Sequence, residues 1–181
     1  MHYYALISSF PVVTLDSDSG MTADNFLSAC QAYIKGDDLR TLEELSLDPS
    51  PEKFESGSFA RKYASWEASL RNAAARARSA KLGIDPTAYL DREAEVEADT
   101  ERAVNSAWAA ADPLERERIL DRARWTKIEE LEAGKPFSFE QVCAFKLKLL
   151  LRQKWADRQN GDPENNLEQA LTAVSSADVK E

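Results

Sequence analysis

Few residues of this chain could do covalent or metal chemistry, and their spacing argues against most of it. The one histidine, His2, adjoins Met1, so neither a His-based triad nor a multi-His metal site can be assembled. Cys30 and Cys143 lie far apart with no CxxC, which is not a zinc spacing. Both fall in apolar helical rows and are expected to be buried thiols, not a disulfide. Asp16-Ser17-Asp18-Ser19-Gly20 superficially resembles the opening of a calcium loop. That loop needs Gly at its sixth position and Glu at its twelfth, where this chain has Met21 and Leu27, so it is expected to be a turn. Gly134-Lys135-Pro136 lacks the glycine-rich context of a phosphate loop. Paired carboxylates are abundant, but on solvated helix faces they are the default. No catalytic, cofactor-binding or metal-ligating residue is therefore expected, and no enzyme.

Two charged features could bind instead of react. The segment from Ser138 to Asn160 has the highest apolar density in the chain, through Val142, Cys143, Phe145, Leu147, Leu149, Leu150, Leu151 and Trp155. A helix apolar over most of its circumference belongs at the centre of a bundle. Its narrow polar strip is basic: Lys146, Lys148, Arg152, Lys154 and Arg158. Those side chains could meet an acidic partner; the favoured reading is that they snorkel out of the core or pair with acids of the same chain, Glu93 to Glu101. The second feature is that acidic segment, where alanine alternates with Glu93, Glu95, Glu97, Asp99 and Glu101. On one continuous helix Glu93, Glu97 and Glu101 would stack at i, i+4, costing a few tenths of a kcal/mol per like-charge pair. The face is expected to be solvated, with docking to a basic partner as the alternative. Trp66, Trp108, Trp125 and Trp155 lie on or beside apolar stripes and are expected as core anchors.

The 181 residues fit one domain. With 43% hydrophobic and 30% charged residues the chain can bury a real core without metals or disulfides. A net charge of -9 and a pI near 4.8 argue against a nucleic-acid binder and against direct contact with anionic lipid. The opening MHYYALISSFPVV has no Lys or Arg before its apolar run, unlike a normal signal peptide. No window reaches the ~18–20 apolar residues of a membrane span. A cytoplasmic, soluble protein is expected.

The elements that position these residues read mainly as helices. Residues 2–10 fit a short helix or a buried strand, a run too short to decide by period, with helix favoured; Pro11 ends it either way. After a loop, Thr22 caps a helix over 23–35 that stops at Gly36, and Asp37 caps a second short helix with Leu39, Leu42 and Leu45. Residues 48–57, with Pro49 and Pro51, read as a linker. A long helix follows over 59–82, closed by Gly83. Its Phe59, Tyr63, Trp66, Leu70, Ala73, Ala77 and Ala80 alternate in steps of four and three, an a/d seam of about three heptads. At 1.5 Å per residue this helix is roughly 36 Å long, so an elongated molecule is expected. Asp85-Pro86, Asp112-Pro113 and Asp162-Pro163 each look like an N-cap followed by Pro at N1, setting helices over about 86–111, 113–133 and 163–174. Ser138 with Gln141 has capping-box spacing for the central helix. The expected organisation is one all-α domain over 1–174: N-terminal helices (1–47), the linker (48–57), an elongated bundle of long and short antiparallel helices (58–160) and a terminal helix (163–174). Residues 175–181 are expected as a disordered tail.

One resemblance adds to this reading. Tyr3-Tyr4-Ala5-Leu6-Ile7-Ser8-Ser9-Phe10-Pro11, Phe26-Leu27-Ser28-Ala29-Cys30, Lys62-Tyr63-Ala64-Ser65-Trp66-Glu67 with Leu70-Arg71-Asn72, Arg124-Trp125, and Phe145-Lys146-Leu147-Lys148-Leu149 with Arg152 resemble an uncharacterised bacterial family encoded beside V-type ATPase genes. That family is thought to be related to the C-type subunit of V-type ATPases (the d-type subunit in eukaryotes). The resemblance spans most of 2–158; its motifs are apolar and structural. It implies an all-helical, non-catalytic component, since the C-type subunit is a funnel-shaped socket between the central rotor shaft and the membrane ring. The implied partners are other V-type ATPase subunits, the shaft and possibly the ring, holding the protein peripherally at the inner membrane. The usual C-type subunit is about twice this length, so this chain could supply only part of such a funnel. The alternative is a cytosolic helical scaffold, protein-interaction module or homo-oligomer that uses the 59–80 seam.

Overall fold

The computed structural model describes residues 3–15, 20–91, 94 and 96–160, and these are mostly helical with no strands among them. His2, most of the Asp16–Gly20 turn, Glu93, Glu95, the expected helix over 163–174 and the tail over 175–181 lie outside the described residues. Seven α-helices follow in order: α1 (Tyr4–Ser8), α2 (Ala23–Cys30), α3 (Gly36–Glu44), α4 (Phe59–Leu82), α5 (Ala98–Ala109), α6 (Pro113–Glu132) and α7 (Phe139–Asn160). Two 3-10 turns, Pro51–Lys53 and Thr87–Tyr89, lie between them.

Local chemistry sets most of these boundaries. The Thr22 side chain accepts from the Asn25 N–H at 3.2 Å, and Ser58 from the Arg61 N–H at 3.1 Å. Asp112 accepts from the Leu114 N–H at 3.1 Å, ahead of Pro113 at N1. Each supplies an acceptor to an otherwise orphaned N–H. Gly83 closes α4 in the left-handed region (φ 69°), the C′ conformation that costs glycine least. At α7 the box is displaced by one residue. Ser138 Oγ accepts from the Gln141 N–H at 3.4 Å, while Gln141 Oε1 accepts from the N–H of Phe137, not of Ser138. Phe137 itself takes a left-handed φ of 55°, with its ring 4.6 Å from that of Tyr4.

Four expected features differ. The helix over 23–35 ends at Cys30 and gives way to turns, and α3 begins at Gly36 without a capping bond from Asp37, which instead pairs with Arg40 at 3.1 Å. Residues 48–57 form a packed strap, with Phe54 buried against the core. Most consequentially, the single helix over 86–111 does not form. Asp85 accepts from both the backbone N–H and the hydroxyl of Thr87, but the 3-10 turn that follows begins after Pro86 without a side-chain cap. The described residues at 90–91, 94 and 96–97 are non-helical, and α5 starts at Ala98.

The apolar side chains collect in two clusters. The first joins α1, α2, α3, the strap and the start of α4 to Ile128 of α6 and the N-terminal half of α7. At its centre Phe145 of α7 stacks on Phe10 (4.2 Å between centroids) and meets Phe26 (5.2 Å). Cys30 and Cys143 are both buried in it as free thiols. The second is smaller: Trp66, Leu70 and Ala73 of α4 pack with Val104 of α5, flanked by Trp108, Leu120 and Ala123. The α4 seam is thus used within the chain from Phe59 to Ala73, whereas Ala80 at its end is exposed.

Candidate functional site

Between the two clusters lies a set of buried charges that joins α4, α6 and α7. Glu67 occupies the inner face of α4, the one charged residue in Tyr63-Ala64-Ser65-Trp66-Glu67-Ala68-Ser69-Leu70. On α6, Glu117, Asp121 and Arg124 are spaced by four and three, which places them on one face. Arg124 grips Glu67 in a fork, Nε to Oε2 at 3.0 Å and Nη2 to Oε1 at 2.7 Å, and donates from Nη1 to Asp121 at 2.7 Å. From α7, Lys154 donates to both oxygens of Asp121 (2.9 and 2.8 Å) and to Glu117, and the Trp155 indole N–H donates to Asp121 Oδ2 at 2.9 Å. Glu67 is 1% exposed and Asp121 0%.

Burial pushes the Glu67 carboxyl up, and the Arg124 guanidinium beside it pulls it back. Burial alone would lower Arg124, but Glu67 and then Asp121 outweigh it and hold the guanidinium firmly protonated. Glu117 is partly desolvated, yet the hydrogen bond and charge of Lys154, with Arg158, set it below its ordinary range. The result is a brace: two buried carboxylates and two cations that satisfy each other, through bonds from α6 to α4 and α7 and one within α6.

A second group of polar bonds ties the segment before α5 onto α4. Asn72 exchanges two bonds with the backbone of Asp91, donating to its carbonyl and accepting from its N–H, both at 2.8 Å. Ser69 accepts from the Glu97 N–H at 3.1 Å and meets the Thr100 hydroxyl at 3.0 Å. Trp66 donates to Asp99 at 2.9 Å. Desolvation raises Asp99, but the Trp66 bond and Lys127 outweigh it and leave its pKa lowered.

Among the described residues, Lys148, Lys154 and Arg158 of the α7 basic strip pair with acids of α6. Lys148 bonds Glu132, Lys154 bonds Glu117 and Asp121, and Arg158 reaches Glu117 at 3.7 Å. Lys146 does not snorkel. It is 4% exposed, and its Nζ donates to the carbonyls of Leu42 (2.5 Å) and Glu43 (3.2 Å) in the last turn of α3. That satisfies two orphan carbonyls at the negative end of the helix dipole, while burial lowers the ammonium pKa. In the acidic stretch, Glu97 and Asp99 pair with Lys127 of α6 at 3.4 and 3.5 Å.

The tryptophans sit at boundaries between apolar packing and charge. Trp66 and Trp155 are buried, Trp108 and Trp125 half-buried. Each carries a cation within 6 Å of a ring centroid: Lys127 on Trp66, Arg116 on Trp108, Lys148 on Trp125, and Arg118 and Arg158 on Trp155. Sequence spacing could reveal only the local bonds, Asp121 to Arg124 and Trp125 to Glu129. The one signal for the brace was a lone acid, Glu67, inside an otherwise uncharged buried run.

Among the described residues no group of three or more His, Cys, Asp or Glu could hold a metal ion. No helix among them is long and apolar enough to cross a membrane. No family model, no curated protein and no solved structure matches this chain.

Proposed function

We propose that this chain is a non-catalytic helical component of a bacterial V-type rotary ATPase, a part similar to the C-type subunit that links the central shaft to the membrane ring. The reading begins from the resemblance in Tyr3–Pro11, Lys62–Glu67, Arg124-Trp125 and Phe145–Leu149. The observation that carries it furthest is the brace. Glu67 and Arg124, both inside the resembling motifs, bond α4 to α6, and Asp121 with Lys154 carries that bond on to α7. Three long helices locked together by charge-assisted bonds suit an element that transmits torque, where sliding of one helix past another must be resisted. Chemistry is not asked of such a part, and each ion in the brace is already spent on another.

The test is an affinity pull-down of the tagged protein from detergent-solubilised native membranes, with partners identified by mass spectrometry. Shaft or ring subunits are expected among them. A folded, well-expressed protein that retains none of them overturns the rotary reading.

The second reading is a helical scaffold or homo-oligomer. It is favoured by the exposed apolar side chains of Leu82, Ile84 and Tyr89, which the internal seam leaves outside. Self-association through that surface should be dissociated by Leu82→Glu in light scattering, with the helical circular dichroism unchanged.

A further inference from the structure

Beyond the brace a cavity of about 600 Å³ opens between the C-terminal half of α4, the Thr87–Tyr89 turn and one side of α6. That volume lies within the range of small-molecule sites, roughly 300–1,000 Å³. Its floor is made by Ala74 and Ala75 of α4, whose short side chains leave the space open. Arg71 and Arg78 border that floor seven residues apart, which puts them on one helix face about 10 Å from each other along the axis. Trp108 and Leu120 supply an apolar wall, and Leu82, Ile84 and Tyr89 an apolar rim that is 64%, 47% and 68% exposed.

The charges at this cavity are unequal. Its single carboxylate, Glu117, is held by Lys154 and Arg158, and Arg124 by Glu67 and Asp121. Arg71 pairs at the surface with Asp48 at 2.5 Å. Arg78 has no ion pair within the described residues. An uncompensated guanidinium at one end of an apolar cavity, in a chain of net charge -9, selects a ligand with one anionic head and an apolar body.

We propose that this cavity binds a small amphipathic organic anion, a monocarboxylate with an aromatic or short acyl body. The carboxylate meets Arg78, with Arg71 close enough to share it, and the body lies over Ala74 and Ala75 against Trp108 and Leu120. The assignment does not depend on the rotary-ATPase reading.

The experiment is calorimetric titration of the full chain with 2-naphthoate and with its neutral isostere 2-naphthamide, followed in parallel by tryptophan fluorescence. One-to-one binding of naphthoate is expected, with naphthamide about tenfold weaker, the ratio set by one charge-assisted contact. Arg78→Gln, a change at an exposed position, should erase that preference and leave naphthamide binding unaltered. Ala75→Leu should abolish both, and Trp108→Phe should remove the fluorescence change but not the heat. The proposal is overturned if the two compounds bind equally well, or if Arg78→Gln leaves naphthoate affinity unchanged. It is also overturned if the folded chain binds neither compound. Loss of a partner protein on Arg78→Gln, with no naphthoate binding, would reassign the cavity to an acidic side chain of that partner.

Discussion

The two halves of the interior are held by different physics. Around Phe145 the packing is broad and apolar: Phe10, Phe26, Ile34, Leu42, Leu45 and Val142 converge from five segments, and Lys146 is one of the few polar groups there. Around Trp66 the buried apolar set is only Trp66, Leu70, Ala73 and Val104, and polar bonds surround it. The first region is stabilised in proportion to area removed from water, about 25 cal/mol per Å². The second rests on bonds that stabilise only when every partner is present, because a buried ion left alone costs more than the pair contributes. A small core can thus hold three long helices together, but it tolerates incomplete substitution poorly.

The largest effect is expected at the seam where the regions meet. Leu70→Glu places a carboxylate in the small cluster and should cost more than about 4 kcal/mol, preventing recovery of folded protein. A folded mutant with an altered oligomeric state would show instead that the seam serves assembly. In the apolar half, Phe26→Ala should cost about 3–5 kcal/mol in urea denaturation. A loss below about 1 kcal/mol would mean that this core is not held by area.

The brace separates the two mechanisms further. Arg124→Met leaves Glu67 and Asp121 facing each other without their shared cation, and about 3–5 kcal/mol of destabilisation is expected. The double change Glu67→Leu with Arg124→Met retains Asp121 on Lys154 and Trp155. It should recover most of that loss, to within about 1 kcal/mol of the parent. A double variant as unstable as the single would assign the brace a packing role that charge pairing does not explain.

The smallest expected effect is on pH dependence, and it belongs to the apolar half. Burial pushes the Cys30 thiol up to about 12 from an ordinary 9.0, and burial moves Cys143 up as well. Both stay protonated when folded while the unfolded chain ionises, so their contribution is complete below pH 9 and is lost as pH rises from there towards 12. Each thiol adds a slope of up to about 1.4 kcal/mol per pH unit. Melting temperatures between pH 8 and 10.5 should fall, and Cys30→Ala should make the fall shallower. A thiol reagent that labels the native protein at pH 8 as fast as the unfolded one would refute the burial on which this rests.

How much was legible in the residues depended on the range of the forces involved. Ser58 and Gly83 bracket α4 because a cap and a left-handed glycine act within one turn, and Asp112-Pro113 starts α6 for the same reason. The seam of α4 and the central burial of α7 follow from helical periodicity, which needs no knowledge of the partner. The same local logic failed at Asp85-Pro86. Asp85 bonds Thr87 locally without capping a helix, and Asn72 and Ser69, both far upstream in α4, capture the backbone of Asp91 and Glu97. Those bonds accompany a non-helical backbone at Asp91 and Glu97, and the helix starts only at Ala98, so Asp99 and Glu101 fall in its first turn while Glu97 precedes it.

By itself, then, the sequence determined a mostly helical chain, the limits of α4 and α6 and the central burial of α7, since caps and periodicity are short-range. Only the tertiary structure decided which ions meet. A carboxylate on α6 is chosen by the Lys154 ammonium, a helix end by Lys146, and Glu67 by Arg124, through distances set by packing across more than fifty residues in the last case. Electrostatic pairing is strong only where water is excluded, and which groups lose their water is a property of the assembled fold.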